Sequence, residues 1–171
     1  PCLTQAKEMV YRDITSPDAR KINIAIPWFV NSDQPEDLQV FGRDLANTLS
    51  NALEFQGIIS IIPGEFYGKK QNADWKSMGA DFVIKGSYAH SGHKFKLELR
   101  LLDIAAGVML LGRSYIGPCK QKNEMLFTFT DKVITEMTGP AGMASSKIAF
   151  VLDYSKSKRV YFNEFLGEEV G

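Results

Sequence analysis

Between Phe95 and Leu101 the chain alternates without a fault: Phe95, Leu97, Leu99 and Leu101 are apolar, and Lys96, Glu98 and Arg100 between them are charged. A period of two places one set on each face of a β-strand, so this segment needs a core on one side and water on the other. Strand-like runs flank it at Asp81 to Tyr88 and at Val108 to Ile116. The gaps are His90-Ser91-Gly92-His93-Lys94 and Ala105-Ala106-Gly107, both short enough for antiparallel hairpins. The middle of the chain therefore predicts a three-stranded meander with a single buried face.

Something must cover that face, and the sequence on either side supplies it. Ile22, Ile24 and Ile26 alternate with polar or small residues up to Pro27, which predicts a first strand. From Asp37 the period changes, with Leu38, Phe41, Leu45, Leu49, Ala52 and Leu53 at steps of three and four. That spacing predicts an amphipathic helix with Asp33 as a candidate N-cap and Gly57 as the stop. Ile58 to Ile62, ended by Pro63-Gly64, reads as a second buried strand. After Gly117-Pro118, the series Leu126, Phe129, Val133 and Met137 predicts a second helix ended by Thr138-Gly139-Pro140. The order β, α, β, meander, α gives an α/β (α+β) two-layer sandwich: one mixed sheet of about five strands with two main helices.

Two segments lie outside this unit. Residues 1–21 form an N-terminal arm whose run Met9 to Ile14 alternates and then breaks at Thr15-Ser16-Pro17-Asp18. Residues 22–140 hold the α/β domain. Residues 141–171 carry two more strands, Ile148 to Leu152 and Arg159 to Phe165, around Ser155-Lys156-Ser157-Lys158. A lone hairpin is marginal in water, so these strands are expected to be disordered or to pair with another molecule, a dimer through unpaired C-terminal strands included.

Composition narrows the function. The 20 basic and 20 acidic residues cancel, whereas a nucleic-acid binder draws its affinity from an excess of Lys and Arg. The apolar run from Leu101 to Leu111 is broken by Asp103 and Gly107, so no segment is expected to span a membrane. The first residues carry no basic-then-apolar leader, which fits a cytosolic chain or a mature secreted one. Cys2 and Cys119 lack metal or redox spacing, and whether they form a bridge is open.

No reactive constellation stands out, and no catalytic group, cofactor or metal is expected. His90 and His93 form an HxxH in a hairpin loop and read as solvated. Gly64, Gly68, Gly79 and Gly86 never assemble into a phosphate-binding motif and read as turn residues. Glu65, Asp74 and Asp81 are scattered carboxylates read as surface charge. Trp28, Phe29, Phe66 and Tyr67 could form a partner surface, with core packing favoured. Lys69, Lys70 and Lys76 could steer an acidic partner or simply be solvated.

Read together, YRDITSPDARKINIAIPWF (residues 11–29), DLANTLSNALEFQGIISII (44–62), WKSMGADFVIKGSY (75–88), KLELRLLDIAAGVMLLGRSYIG (96–117) and TDKVITEMTGPAGMASSKIAFVLD (130–153) resemble one family, the TolB proteins of the Tol-Pal envelope system. Phe127 and Ser146-Lys147 depart from the family pattern, which often has a His and a Thr-Arg there. The resemblance implies a periplasmic, non-enzymatic protein-interaction module that supports envelope integrity, outer-membrane constriction during division and macromolecule or colicin import. It implies that the arm residues Val10, Tyr11, Arg12, Asp13 and Ile14 engage the inner-membrane partner TolA. It implies that Pal binds the β-propeller of the full-length protein, of which residues 141–171 look like the opening strands. A structural assembly domain of another envelope or outer-membrane lipoprotein complex is the alternative.

Overall fold

In the computed structural model, residues 20–34, 40–92, 94–140, 142–154 and 157–164 are described. The meander forms as its alternation demands: β4 (Phe82–Ser91), β5 (Lys94–Asp103) and β6 (Val108–Gly117) pair antiparallel in sequence. Phe95, Leu97, Leu99 and Leu101 are fully buried, each contributing roughly 1.5–3 kcal/mol by leaving water.

The parallel part of the sheet is added beside β4. Strand β1 (Ile22–Ala25) lies between β4 and β3 (Ile59–Ile61), parallel to both. A further two-residue strand, β2 (Val30–Asn31), also runs parallel to β4, with Val30 opposite Ser87. The mixed sheet therefore has six strands, in the order β3-β1-β4-β5-β6 with β2 on β4. Two residues are too few to show a period, which is why β2 is silent in the sequence.

Helices α1 (Val40–Glu54) and α2 (Lys122–Thr138) pack side by side on one face. Leu45, Leu49 and Leu53 from α1 and Leu126, Phe129 and Val133 from α2 meet the Ile24, Ile84 and Leu97 side of the sheet. The expected start of the first helix at Asp37 falls on residues outside those described. The Asp33 carboxylate, proposed as its cap, accepts the backbone N–H of His90 at 2.9 Å. Helix α1 closes into Gly57 and α2 into Gly139, whose φ values of 78° and 87° suit glycine.

Phe29 joins α1 to the sheet, and it depends on two glycines. Its ring lies on Gly86, where a Cβ would stand 2.5 Å from the ring, and its carbonyl oxygen would stand 2.0 Å from a Cβ at Gly42. Gly86 is thus a strand-interior residue selected by packing, not the turn residue expected. Gly68 and Gly79 do serve turns, at φ 52° and 75°.

The opposite face is partly covered as well. After β3 a 3-10 turn (Gly64–Phe66) leads into a segment that buries Tyr67. Tyr67 and Trp75 stack edge to face at 5.3 Å and form a second, smaller core with Ala25, Ala80 and Val83. The Tyr67 hydroxyl accepts the Ile26 N–H at 2.9 Å and donates to the Ile62 carbonyl at 2.8 Å, tying β1 to the segment after β3. Burial raises its phenol pKa above the ordinary 10.0, against the opposing effect of the Ile26 hydrogen bond.

The last two strands, β7 (Lys147–Tyr154) and β8 (Ser157–Glu164), pair antiparallel as a separate sheet.

Candidate partner-binding surfaces

The candidate arm residues Val10, Tyr11, Arg12, Asp13 and Ile14 lie outside the described residues. What is described is the point where the arm enters the domain. Arg20 forms an ion pair with Asp81 at 2.8 Å, and the other Asp81 oxygen accepts the Asn23 N–H at 2.9 Å. Asn23 also donates to the Gly79 carbonyl at 3.1 Å and accepts the Asp81 N–H at 2.9 Å. Asp81 is therefore more than the surface charge expected: it fixes the head of β1. An open cleft of about 360 Å³ lies beside it, with Ile22, Phe82 and Asp103 in its walls.

The aromatic candidates separate. Phe29 and Tyr67 are core, Trp28 is half-buried under the Arg43 guanidinium at 5.9 Å, and Phe66 is 64% exposed. Lys69, Lys70 and Lys76 are exposed.

Of the HxxH, His90 is described. His90 belongs to β4, which runs further than expected, and its ring lies 5.2–6.0 Å from Phe95, Phe41 and Tyr88. It is a strand residue beside an aromatic cluster rather than a loop residue, and His93 is outside the described residues. Among the described residues, no three His, Cys, Asp or Glu side chains converge as a metal site. Cys119 is half-buried and unbridged among the described residues, and Cys2 is outside them.

Two features had no signal in the sequence. The first is Asp131 on α2, whose carboxylate accepts the N–H groups of Ala144 at 2.6 Å and Ser145 at 3.0 Å, and also the Ser145 hydroxyl. A Cβ on Gly142 would stand 2.5 Å from the same carboxylate. The segment leading to β7 is thereby bound to α2, beside a cleft of about 280 Å³ between Glu124, Phe127 and Lys147.

The second feature is β6, which among the described residues is an edge strand of the six-stranded sheet. Its register against β5 shifts at Leu101/Leu102, which leaves Leu110 as the extra residue of a bulge. Met109 is 56% and Ile116 is 67% exposed. On the neighbouring strand Glu98 pairs with Lys96 at 2.7 Å and Arg100 at 3.1 Å, and the Lys96 ammonium holds its carboxyl below the usual range. Among the described residues the buried Tyr115 hydroxyl has no hydrogen-bond partner, and burial raises its pKa.

Comparison with known proteins places these features in a family context. A family model described as the TolB amino-terminal domain matches residues 11–110, a span that includes Tyr11 to Ile14. The Tol-Pal system protein TolB of Desulfotalea psychrophila is 45% identical over 165 residues, 96% of this chain and 38% of that relative. Its namesake in Desulfosudis oleivorans is 29% identical over 168 residues, 92% of this chain and 38% of the relative. The crystal structure of TolB from Acinetobacter baumannii superimposes with a TM-score of 0.70 at 20% identity, covering 87% of this chain and 37% of that one, a likeness of fold. The chain thus spans about 38% of the length of these curated relatives.

Proposed function

This chain belongs to the TolB family through its amino-terminal domain, and from that membership we propose that it works as a periplasmic protein-interaction module of the Tol-Pal system. In this reading it contributes to envelope integrity, outer-membrane constriction during division and macromolecule or colicin import. It does so by binding rather than by catalysis.

The arm residues Val10, Tyr11, Arg12, Asp13 and Ile14 are the proposed contact with a TolA-like inner-membrane protein. An extended segment with alternating side chains can add to the edge of a partner's sheet, gaining main-chain hydrogen bonds for affinity and side-chain pockets for specificity. Contact with Pal is assigned to the β-propeller that follows this domain in the family. The observation that carries the reading is the family match running from Tyr11, inside the arm, into the start of the third meander strand.

The test is calorimetric titration of the purified periplasmic part of TolA into the full chain and into a chain lacking residues 1–14. Loss of the binding heat on deletion is expected. Unchanged affinity would remove the arm from the mechanism.

A further inference from the structure

Half of the large apolar side chains that are exposed among the described residues stand on one strand: Val108, Met109, Leu110 and Ile116 of β6. Among the same residues this strand is a sheet edge, and an edge presents unpaired N–H and C=O groups along one side. The chain carries no net charge, so no long-range repulsion keeps its copies apart.

The register against β5 sorts Leu111 to Gly117 onto two faces. Gly112, Ser114 and Ile116 lie opposite Arg100, Glu98 and Lys96, on the face away from the helices. Leu111, Arg113 and Tyr115 lie opposite the buried Leu101, Leu99 and Leu97, on the helix face. Over Gly112 the first face has an open notch of about 260 Å³, with Met109 and Arg100 in its walls. The notch asks for bulk rather than charge. Lys96, Glu98 and Arg100 are already joined to one another, and the nearest atoms that a Cβ on Gly112 would meet are the Sδ and Cε of Met109, at 3.4 and 3.6 Å.

In a two-fold antiparallel pairing of β6 with itself, the residue on the axis fixes every other pair. With Ser114 on the axis, all seven residues from Leu111 to Gly117 are opposed, clear of the bulge at Leu110. Ile116 of each copy then faces Gly112 of the other, on the face that holds the notch, and leaves water there. On the helix face Arg113 opposes the half-buried Tyr115 of the second copy, and a guanidinium is attracted to such a ring. The two Arg113 are diagonal neighbours exposed to water, where like charges repel weakly. Other axes do worse. An axis on Arg113 sets the two Arg113 directly opposite, one on Gly112 moves Ile116 onto the bulged end of the strand, and one on Tyr115 leaves Gly112 unopposed.

We propose that β6 is a two-fold interface between two copies of this chain, joined antiparallel along Leu111–Gly117 with Ser114 on the axis and Ile116 of each copy seated over Gly112 of the other. The pairing joins the two six-stranded sheets into one and closes both free edges of β6. This surface is separate from the arm, so either can fail without the other.

Sedimentation equilibrium of the full chain from about 10 μM to about 1 mM should show a reversible monomer–dimer equilibrium. Isotope-filtered NMR on a half-labelled mixture should show contacts from the Ile116 methyl protons of one copy to the Gly112 α protons of the other. Ile116→Lys brings a cation up to Arg100 of the second copy, and Gly112→Leu fills the notch; each should weaken association at least about tenfold, with an unchanged circular dichroism spectrum in dilute solution. A chain that stays monomeric at about 1 mM, a dimer that either variant leaves intact, or intermolecular contacts that run through β7 and β8 instead would overturn the proposal.

Discussion

Gly42 gives a sharp test of the packing argument, because two effects of known sign oppose one another there. Gly42→Ala in the interior of α1 should stabilise by about 1 kcal/mol through helix propensity alone. Against that, the new Cβ would stand 2.0 Å from the Phe29 carbonyl oxygen and 3.0 Å from its carbon, well inside the roughly 3.5 Å at which such atoms rest. The obstacle is backbone, so α1 must move away from the β1–β2 connection. Movement strains a full core at about 1–3 kcal/mol. It also stretches the hydrogen bond from the Phe29 N–H to the Gly42 carbonyl, now 3.1 Å, worth about 1 kcal/mol. The clash wins by about 1–3 kcal/mol net, and a central value of about 2 lowers Tm by roughly 4–8 °C in a chain of this size. Thermal melts and urea titrations with an unchanged m-value would measure it. Gly112→Ala is the control, since only the flexible Met109 lies near it, and it should be neutral or stabilising by up to about 1 kcal/mol. A Gly42→Ala chain that melts at or above the parent would refute the account of how Phe29 locks the helix to the sheet.

Tyr67→Phe should cost about 1–3 kcal/mol, because it strands the Ile26 N–H without its acceptor; urea unfolding checks this. The raised phenol pKa also fixes a sign: the stability from neutral Tyr67 is complete below the ordinary value of 10.0 and is lost as pH rises through the higher folded value. The Phe variant should lack that part of the alkaline decline. Asp131→Ala should remove three hydrogen bonds to residues 144 and 145, and hydrogen exchange should show the Ala144 and Ser145 amides losing at least about tenfold of their protection. Unchanged exchange there would mean that the carboxylate does not hold the segment.

The sequence was most readable where a period ran long enough to be counted. Phe95 to Leu101 foretold its own buried face, and the Leu45, Leu49, Leu53 series placed α1. Two kinds of feature escaped. Val30 and Asn31 form a strand only because β4 offers a free flank beside Ser87 and Tyr88, and that is a property of the assembled sheet. Gly86 and Asp131 likewise take their roles from atoms far along the chain, the Phe29 ring and the 142–145 segment, so single-residue chemistry could not separate Gly86 from a turn glycine. Core packing was the favoured reading for Tyr67, but the two backbone groups that its hydroxyl joins had no signal in the sequence. Of the candidate surfaces, the arm is proposed from its alternating run alone, and the β6 edge had no signal, since being an edge depends on which strand fails to arrive.

The place of β1 between two parallel neighbours has a mechanical meaning. A pull on the amino terminus enters the sheet along the axis of β1, so its bonds to β3 and β4 bear the load together in shear. A border strand drawn outward would instead unzip one bond at a time. Tension arriving from the amino-terminal side of Arg20 is thus met by a clamped central strand, with the Arg20–Asp81 pair at its mouth.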